Sequence, residues 1–301
     1  GIALLRYVYS VLSFFYSTFL SGGVNVKKLG SWAVVTGATD GIGKAVAKEL
    51  AKRGINIVLV SRTPLRLEET KKEILGKYPT IEIKTVAMDF AAASAADYTR
   101  LQSEISKLEI GVLYNNVGVS YDYAEALQNI PEEKINALIE VNNRALVKLS
   151  QMVLPSMLER KRGAIVNIGS FYGSISSPFY AVYCASKAFV EYFSKSLSHE
   201  LQGKGVTCQN HLPLMVATKL AIPNPNRRKG TLFTPSPEVW AASSVSSIGK
   251  GASVIPYWAH HLQAAVMVSL PGWLVDKVVY DTHDKIRRAA LKKRDAAAKS
   301  S

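Results

Sequence analysis

Tyr183 and Lys187 stand four residues apart in a stretch with helical patterning, so both project from one face. A phenol with an ordinary pKa near ~10 is a poor acid–base group at neutral pH; a neighbouring ammonium favours its phenolate and brings the proton within reach. With 14 tyrosines in the chain, one Tyr-x-x-x-Lys is expected by chance, so the pair alone says little. Ser170 closes a β-branched run 13 residues before Tyr183, and its hydroxyl can polarise a carbonyl that Tyr183 protonates. Asn142, 28 residues before Ser170, falls inside a long helical stretch, where its amide can hold a water in a relay to Lys187. A helix-kink residue and a strand-end cap are the plain structural readings of Asn142 and Ser170. The chemistry this set suits is proton transfer at a carbonyl or alcohol.

Positioning those four side chains requires alternating elements. Residues 31–36, 55–61, 81–88, 111–115, 163–168 and 206–212 are short β-branched runs of the kind buried on both faces of a sheet. Helical stretches lie between them near 41–53, 64–76, 95–108, 131–159 and 181–202. Strand–helix alternation of this sort predicts an α/β fold with a doubly wound parallel sheet and right-handed crossovers.

The first predicted strand runs directly into Gly37, Ala38, Thr39, Asp40, Gly41, Ile42 and Gly43, where a helix begins. Glycines at such a turn let backbone N–H groups approach a pyrophosphate, with the positive end of the helix behind them. The spacing Gly-x-x-x-Gly-x-Gly differs from the commoner dinucleotide fingerprint, and a tight turn is its structural alternative. The end of the second strand discriminates between cofactors. An acid there would bind ribose hydroxyls, but this chain has Ser61 and Arg62, with Arg66 one turn on and Lys44 after the glycines. Guanidinium and ammonium groups pair with a 2′-phosphate, so the expected cofactor is NADP(H).

The 301 residues carry 37 Lys and Arg against 23 acids, a formal charge of +14, and 48% are hydrophobic. The apolar fraction excludes a disordered or fibrous chain. The two cysteines, Cys184 and Cys208, exclude a disulfide framework, and no Cys/His cluster has metal-ligand spacing. The positive charge leaves nucleic acid, an anionic membrane face or acidic small ligands as partners; the basic residues are dispersed or lie in the tail and match no recognition motif, which argues against nucleic acid. Residues 2–20 are apolar and aromatic and are followed by Lys27 and Lys28, which suits a membrane-inserted or interfacial helix, a buried helix or a cleaved signal. Pro223, Pro225, Pro235 and Pro237 mark a loop that also holds Arg227, Arg228 and Lys229. Residues 254–275 are apolar again, broken at Pro271, and a basic tail begins at Lys285, consistent with membrane-surface seating or with a solvated tail. Three regions are expected: an anchor and linker over 1–30, a cofactor-binding domain over 31–255, and an apolar and basic tail over 256–301.

The glycine pattern, the Asn115-Asn116-Val117-Gly118 run and the set Asn142, Ser170, Tyr183, Lys187 resemble the short-chain dehydrogenase/reductase family over roughly residues 31–255. The resemblance implies a Rossmann fold, with Asn142, Ser170, Tyr183 and Lys187 as the catalytic tetrad. It further implies that Asp89 contacts the adenine, that Asn116 braces the sheet beside Gly118, and that Pro213 through Val216 to Thr218 closes over the nicotinamide. The family's usual glycine after that proline is Leu214 here, and Val117 replaces its usual alanine. The runs Val216-Ala217-Thr218-Lys219-Leu220 and Leu270-Pro271-Gly272-Trp273 look like the membrane-bound branch of very-long-chain 3-oxoacyl-CoA reductases and 17β-hydroxysteroid dehydrogenases. That likeness implies NADPH-dependent reduction of a 3-oxoacyl-CoA, or alternatively steroid oxidoreduction, at an endoplasmic reticulum membrane with the catalytic domain facing the cytosol. The double-Lys ending common in that branch is incomplete in Lys299-Ser300-Ser301. Arg227, Arg228 and Lys229 are candidates to meet CoA phosphates. A homodimer, or a non-catalytic subunit of a membrane complex that kept the fold, are further expectations.

Overall fold

The computed structural model describes residues 23–298, so the apolar stretch 2–20 and the last three residues lie outside the described residues. The six β-branched runs form β1 (Trp32–Thr36), β2 (Asn56–Ser61), β3 (Ile83–Ala87), β4 (Ile110–Asn115), β5 (Gly163–Ile168) and β6 (Val206–His211). A further pair of residues, β7 (Ser253–Val254), extends the sheet beside β6. Two residues are too few for any periodicity to register, which is why the sequence gives no sign of it.

Every neighbouring pair is parallel, in the order β3-β2-β1-β4-β5-β6-β7. Strand order reverses between β1 and β4, which places a crevice at the carboxyl ends of those strands. The helices are α1 (Gly41–Lys52), α2 (Pro64–Leu75), α3 (Ala95–Ile105), α4 (Glu132–Ile139), α5 (Ala145–Glu159), α6 (Ala181–Glu200) and α7 (Pro237–Ser246). They cover both faces of the sheet. Leu50, Leu67, Ile74 and Trp240 pack one face against Val35, Ile57 and Tyr114, and Leu101, Leu149 and Leu197 pack the other against Val34, Val58 and Ile165. Strands β1, β4 and β5 are buried along their whole length, as continuous apolar runs require.

The helical stretch expected over 131–159 is present from Glu132 to Glu159 but is not α-helical throughout. A π-helical turn, Glu140–Arg144, separates α4 from α5 and contains Asn142. The extra residue swings Asn142 and Asn143 toward α6, where their amides bond Ser186. Such insertions recur at functional sites.

Beyond β7 lie α8 (Trp258–Ser269) and α9 (Gly272–Ala298). Among the described residues no single helix is long and apolar enough to cross a membrane; α8 and α9 pass that test only together, bent by 118°. The basic C-terminal helix is not simply solvated. Val279, His283 and Arg287, spaced by four, turn toward the domain, and Arg287 Nε lies 2.9 Å from Oε1 of the buried Glu125. Burial would raise the Glu125 pKa, but bonds from Arg287, the Ala126 N–H and Asn129 together hold it below the ordinary value. The elbow between the helices leaves Val266, Val268, Leu270 and Trp273 exposed, Trp273 by 70%.

Candidate active site

The glycine turn is built by sterics. Gly37 and Gly41 have φ of 62° and 53°, the left-handed region that a side chain disfavours. Asp40 caps α1 by accepting the Gly41 N–H at 2.8 Å. Asn116 Nδ2 donates to the carbonyl oxygens of Thr36 (2.9 Å) and Gly37 (3.4 Å). Thr36 Oγ1 accepts the N–H groups of Asn116 and Val117, each at 3.0 Å. Asn116 thus ties the glycine turn to the end of β4. The deeper brace is Asn115, whose Nδ2 donates to Asn167 Oδ1 at 2.8 Å across the β4–β5 pair. The sequence marks Asn115 only as part of the Asn115-Asn116-Val117-Gly118 run and gives no sign of the role of Thr36; the doublet of asparagines ending a strand, pointing to opposite faces, is the signal for Asn115.

Thr218 closes the turn from above, since a Cβ on Gly41 would sit 3.2 Å from its Cγ2. Ile42 packs on the core beneath, and Thr39 Oγ1 pairs with Ser61 Oγ at 2.9 Å, joining the turn to the end of β2. The segment carrying Thr218 is itself held in place. Pro213 O accepts the Phe171 N–H at 3.1 Å, and Val216 is buried in the core. Where the family's usual residue is glycine, the Leu214 N–H donates to His260 Nδ1 at 3.3 Å, while His260 Nε2 meets Met215 O at 3.0 Å. Burial brings the His260 pKa down to about 4, keeping the ring neutral for this bridge. These residues fit a dinucleotide: Gly37 and Gly41, both at positive φ, carry no Cβ, so a pyrophosphate could approach the backbone of the turn that opens α1.

Around the adenosine end, Arg62 is exposed and makes no ion pair or hydrogen bond among the described residues. Arg66 Nη2 lies 3.9 Å from Asp40 Oδ2. Lys44 does not stand free for a phosphate as the sequence suggested. It pairs with Glu73 at 2.5 Å, and Lys48 holds the same carboxylate, so the two lysines pull the Glu73 pKa down to about 2. Asp89, exposed past the end of β3, accepts the Ala91 N–H at 3.1 Å. Arg228 donates to the Ile222 and Pro223 carbonyls, both at 2.8 Å, and so folds its own loop instead of standing free for CoA.

The first turns of α6 present Tyr183 and Lys187. Lys187 is buried, with Nζ donating to Ile168 O at 2.9 Å and lying 5.8 Å from the centre of the Tyr183 ring. Burial draws its pKa down to about 8. Tyr183 differs from the expectation of a stabilised phenolate: burial pushes it up to about 12, against a hydrogen bond from Ser170 that pulls it down. Removal from water is the largest cause of the shift at both groups. A phenol that keeps its proton at neutral pH is suited to donate it.

Asn142 reaches the same place without a direct bond to Lys187. Its Oδ1 accepts the Val119 N–H at 2.9 Å, and its Nδ2 donates to Val119 O and Ser186 Oγ, each at 3.0 Å. A Cβ on Gly118 would lie 3.4 Å from Asn142 Oδ1 and 3.7 Å from Lys187 Nζ, so the two side chains converge on that glycine. Asn143 and Ser186, which sequence reading passed over, lock the π turn to α6 next to Lys187.

Tyr183, the buried Lys187 and the glycine turn thus share the carboxyl edge of one doubly wound sheet. The short chain dehydrogenase family model matches residues 31–229. The chain belongs to the short-chain dehydrogenase family. A very-long-chain 3-oxoacyl-CoA reductase of Caenorhabditis elegans is 40% identical over 99% of this chain and 96% of its own length. Among solved structures, a 7β-hydroxysteroid dehydrogenase superposes with a TM-score of 0.75 at 25% identity, covering 85% of this chain and 99% of that one. A short-chain dehydrogenase from Sphingobium yanoikuyae in complex with NADPH has a TM-score of 0.66 at 25% identity, covering 80% and 96%. As a member of this family, the chain is an oxidoreductase that binds a nicotinamide cofactor.

Proposed function

We propose that the protein reduces the 3-oxo group of a long-chain 3-oxoacyl-CoA to the 3-hydroxyacyl-CoA, using NADPH, as a step of fatty-acid elongation. The observation that carries this reading is the 40% identity to a very-long-chain 3-oxoacyl-CoA reductase along nearly the whole chain, together with the set Asn142, Ser170, Tyr183 and Lys187. NADPH, when bound, supplies the hydride. The chain supplies the rest: Ser170 orients the carbonyl oxygen, and Tyr183 delivers its phenolic proton to that oxygen. Lys187 places a cation beside the phenol, and Asn142 fixes the Gly118–Val119 backbone next to it.

Exposed and without a carboxylate partner among the described residues, Arg62 supports NADPH over NADH, because such a guanidinium is available to a 2′-phosphate. Arg62→Asp is expected to lower the NADPH-to-NADH ratio of kcat/KM by roughly 10- to 100-fold. An unchanged ratio would count against the contact.

The reading is tested by NADPH consumption with long 3-oxoacyl-CoAs and with ketosteroids. Turnover of the acyl-CoAs alone, or far faster, supports it; turnover of ketosteroids alone refutes it. The steroid alternative has its own support in the superposition on a 7β-hydroxysteroid dehydrogenase.

Membrane seating at the endoplasmic reticulum belongs to the same reading. Its support is the exposed apolar elbow of Val266, Val268, Leu270 and Trp273 beside a basic helix. Cosedimentation with anionic vesicles should fall on Trp273→Glu, and a wild-type protein that stays in the supernatant would contradict the seating.

A further inference from the structure

The C-terminal helix α9 reaches the ring neighbours of Tyr183 through His283. His283 is 2% exposed, and both of its ring nitrogens are engaged: Nδ1 with Pro178 O at 2.8 Å and Nε2 with the Tyr172 hydroxyl at 3.0 Å. A carbonyl only accepts, so Nδ1 carries the proton and Nε2 accepts from the Tyr172 O–H. The proton of Tyr172 is thereby committed to His283.

Tyr172 lies two residues after Ser170, and its ring stands edge-on to Tyr183, centroids 6.4 Å apart at 88°. Tyr180 completes the surround: it meets Tyr183 at 6.4 Å and His283 at 5.0 Å, both edge-on, and stacks on Tyr121 at 5.3 Å. Tyr183 is thus set among aromatic neighbours that His283 pins from the far side. Two phenols stand beside the donor, and Tyr172, the nearer to Ser170 in the chain, has its hydroxyl proton engaged elsewhere.

The helix is held against this cage by a second set of contacts. Arg287, one turn after His283, pairs with the buried Glu125 at 2.9 Å and lies over the Phe179 ring, 5.4 Å from its centre. Phe179 has a φ of 67°, a left-handed conformation unfavourable for a bulky residue, and its carbonyl accepts the Glu125 N–H at 3.0 Å. Such strain persists where the surroundings over-determine it, and here Arg287, Glu125 and the Tyr280 ring at 5.3 Å do so. Phe179 immediately precedes Tyr180, so the strained residue sets the entry to α6.

We propose that His283 is a positioning residue for the proton donor: by holding the Tyr172 hydroxyl it fixes the aromatic cage that aims Tyr183 at the substrate carbonyl. The inference rests on Tyr183 being the donor in the reaction proposed above. It makes the C-terminal helix a wall of the active site and not only a membrane-facing tail.

The test is a double-mutant cycle on the full chain, with His283→Leu, Tyr172→Phe and the pair. Each single variant is expected to lose about tenfold in kcat with the NADPH dissociation constant unchanged, and the pair to lose no more than the worse single. His283→Gln, whose amide can accept from Tyr172 and donate to Pro178, is expected to recover most of the rate. A kcat within about twofold of wild type in His283→Leu, or losses that multiply in the pair, would overturn the proposal. If His283→Leu does not fold, Tyr172→Phe decides alone, and a kcat at wild-type level overturns the proposal. The cycle is measured on whichever ketone the wild type reduces, acyl-CoA or steroid. A wrong substrate assignment therefore appears in the wild-type assay, and a wrong role for His283 appears only in the cycle.

Discussion

Tyr183→Phe is expected to cut turnover by roughly 10²- to 10⁴-fold, the usual worth of a positioned general acid, while NADPH binding stays at the wild-type value. The substitution removes one oxygen and keeps the ring. Edge-on packing against Tyr172 and Tyr180 is preserved, as is the Lys187 ammonium 5.8 Å from the ring centre. What is lost is the phenol that shares a hydrogen bond with Ser170, its pKa pushed up to about 12 by burial. Tyr172 cannot substitute, because its proton is engaged by His283. The measurements are single-turnover reduction and NADPH fluorescence titration. A variant that turns over within tenfold of wild type would remove Tyr183 from the mechanism; a variant that also loses NADPH would show that the hydroxyl serves binding instead.

Most of the fold that positions this chemistry is legible in the sequence. Buried parallel strands read as uninterrupted β-branched runs, and the glycine turn after β1 announces the fold and a nicotinamide cofactor. Four kinds of feature were hidden, each for a physical reason. The π turn at Asn142 keeps the helical period on both sides, so the pattern reads as one helix. Lys44 looked like a phosphate ligand because charge patterning does not reveal that Glu73, on the next helix, lies within 2.5 Å of it. The Tyr183 pKa was read in the wrong direction because proximity to a lysine is visible in sequence and burial is not. The docking of α9 rests on His283, Arg287 and Glu125, polar residues far apart in the chain, whose meeting no local periodicity encodes.

Gly43→Ala is the second large effect, and it acts on cofactor and fold together. A Cβ on Gly43 would overlap Asn116 Nδ2 and the Gly37 carbonyl oxygen, and the second of these is backbone that cannot rotate away. Asn116 would have to release the Thr36 carbonyl it now holds at 2.9 Å, and with it the tie between the glycine turn and β4. The Gly37 carbonyl would move too, carrying with it the turn that would cradle the pyrophosphate. Overpacking of this kind costs about 1–3 kcal/mol, and a buried carbonyl left without its donor adds a comparable amount. The expected result is a lower Tm and an NADPH dissociation constant raised by roughly 100-fold, since about 2.7 kcal/mol of binding would be lost with the cradle. Gly272→Ala is the matched control: nothing lies within 4 Å of the added carbon, and the residue opens α9 far from the turn. It should leave both quantities unchanged. Wild-type NADPH affinity in Gly43→Ala would mean that the pyrophosphate does not approach this turn, and the cofactor would have to be placed elsewhere on the sheet edge.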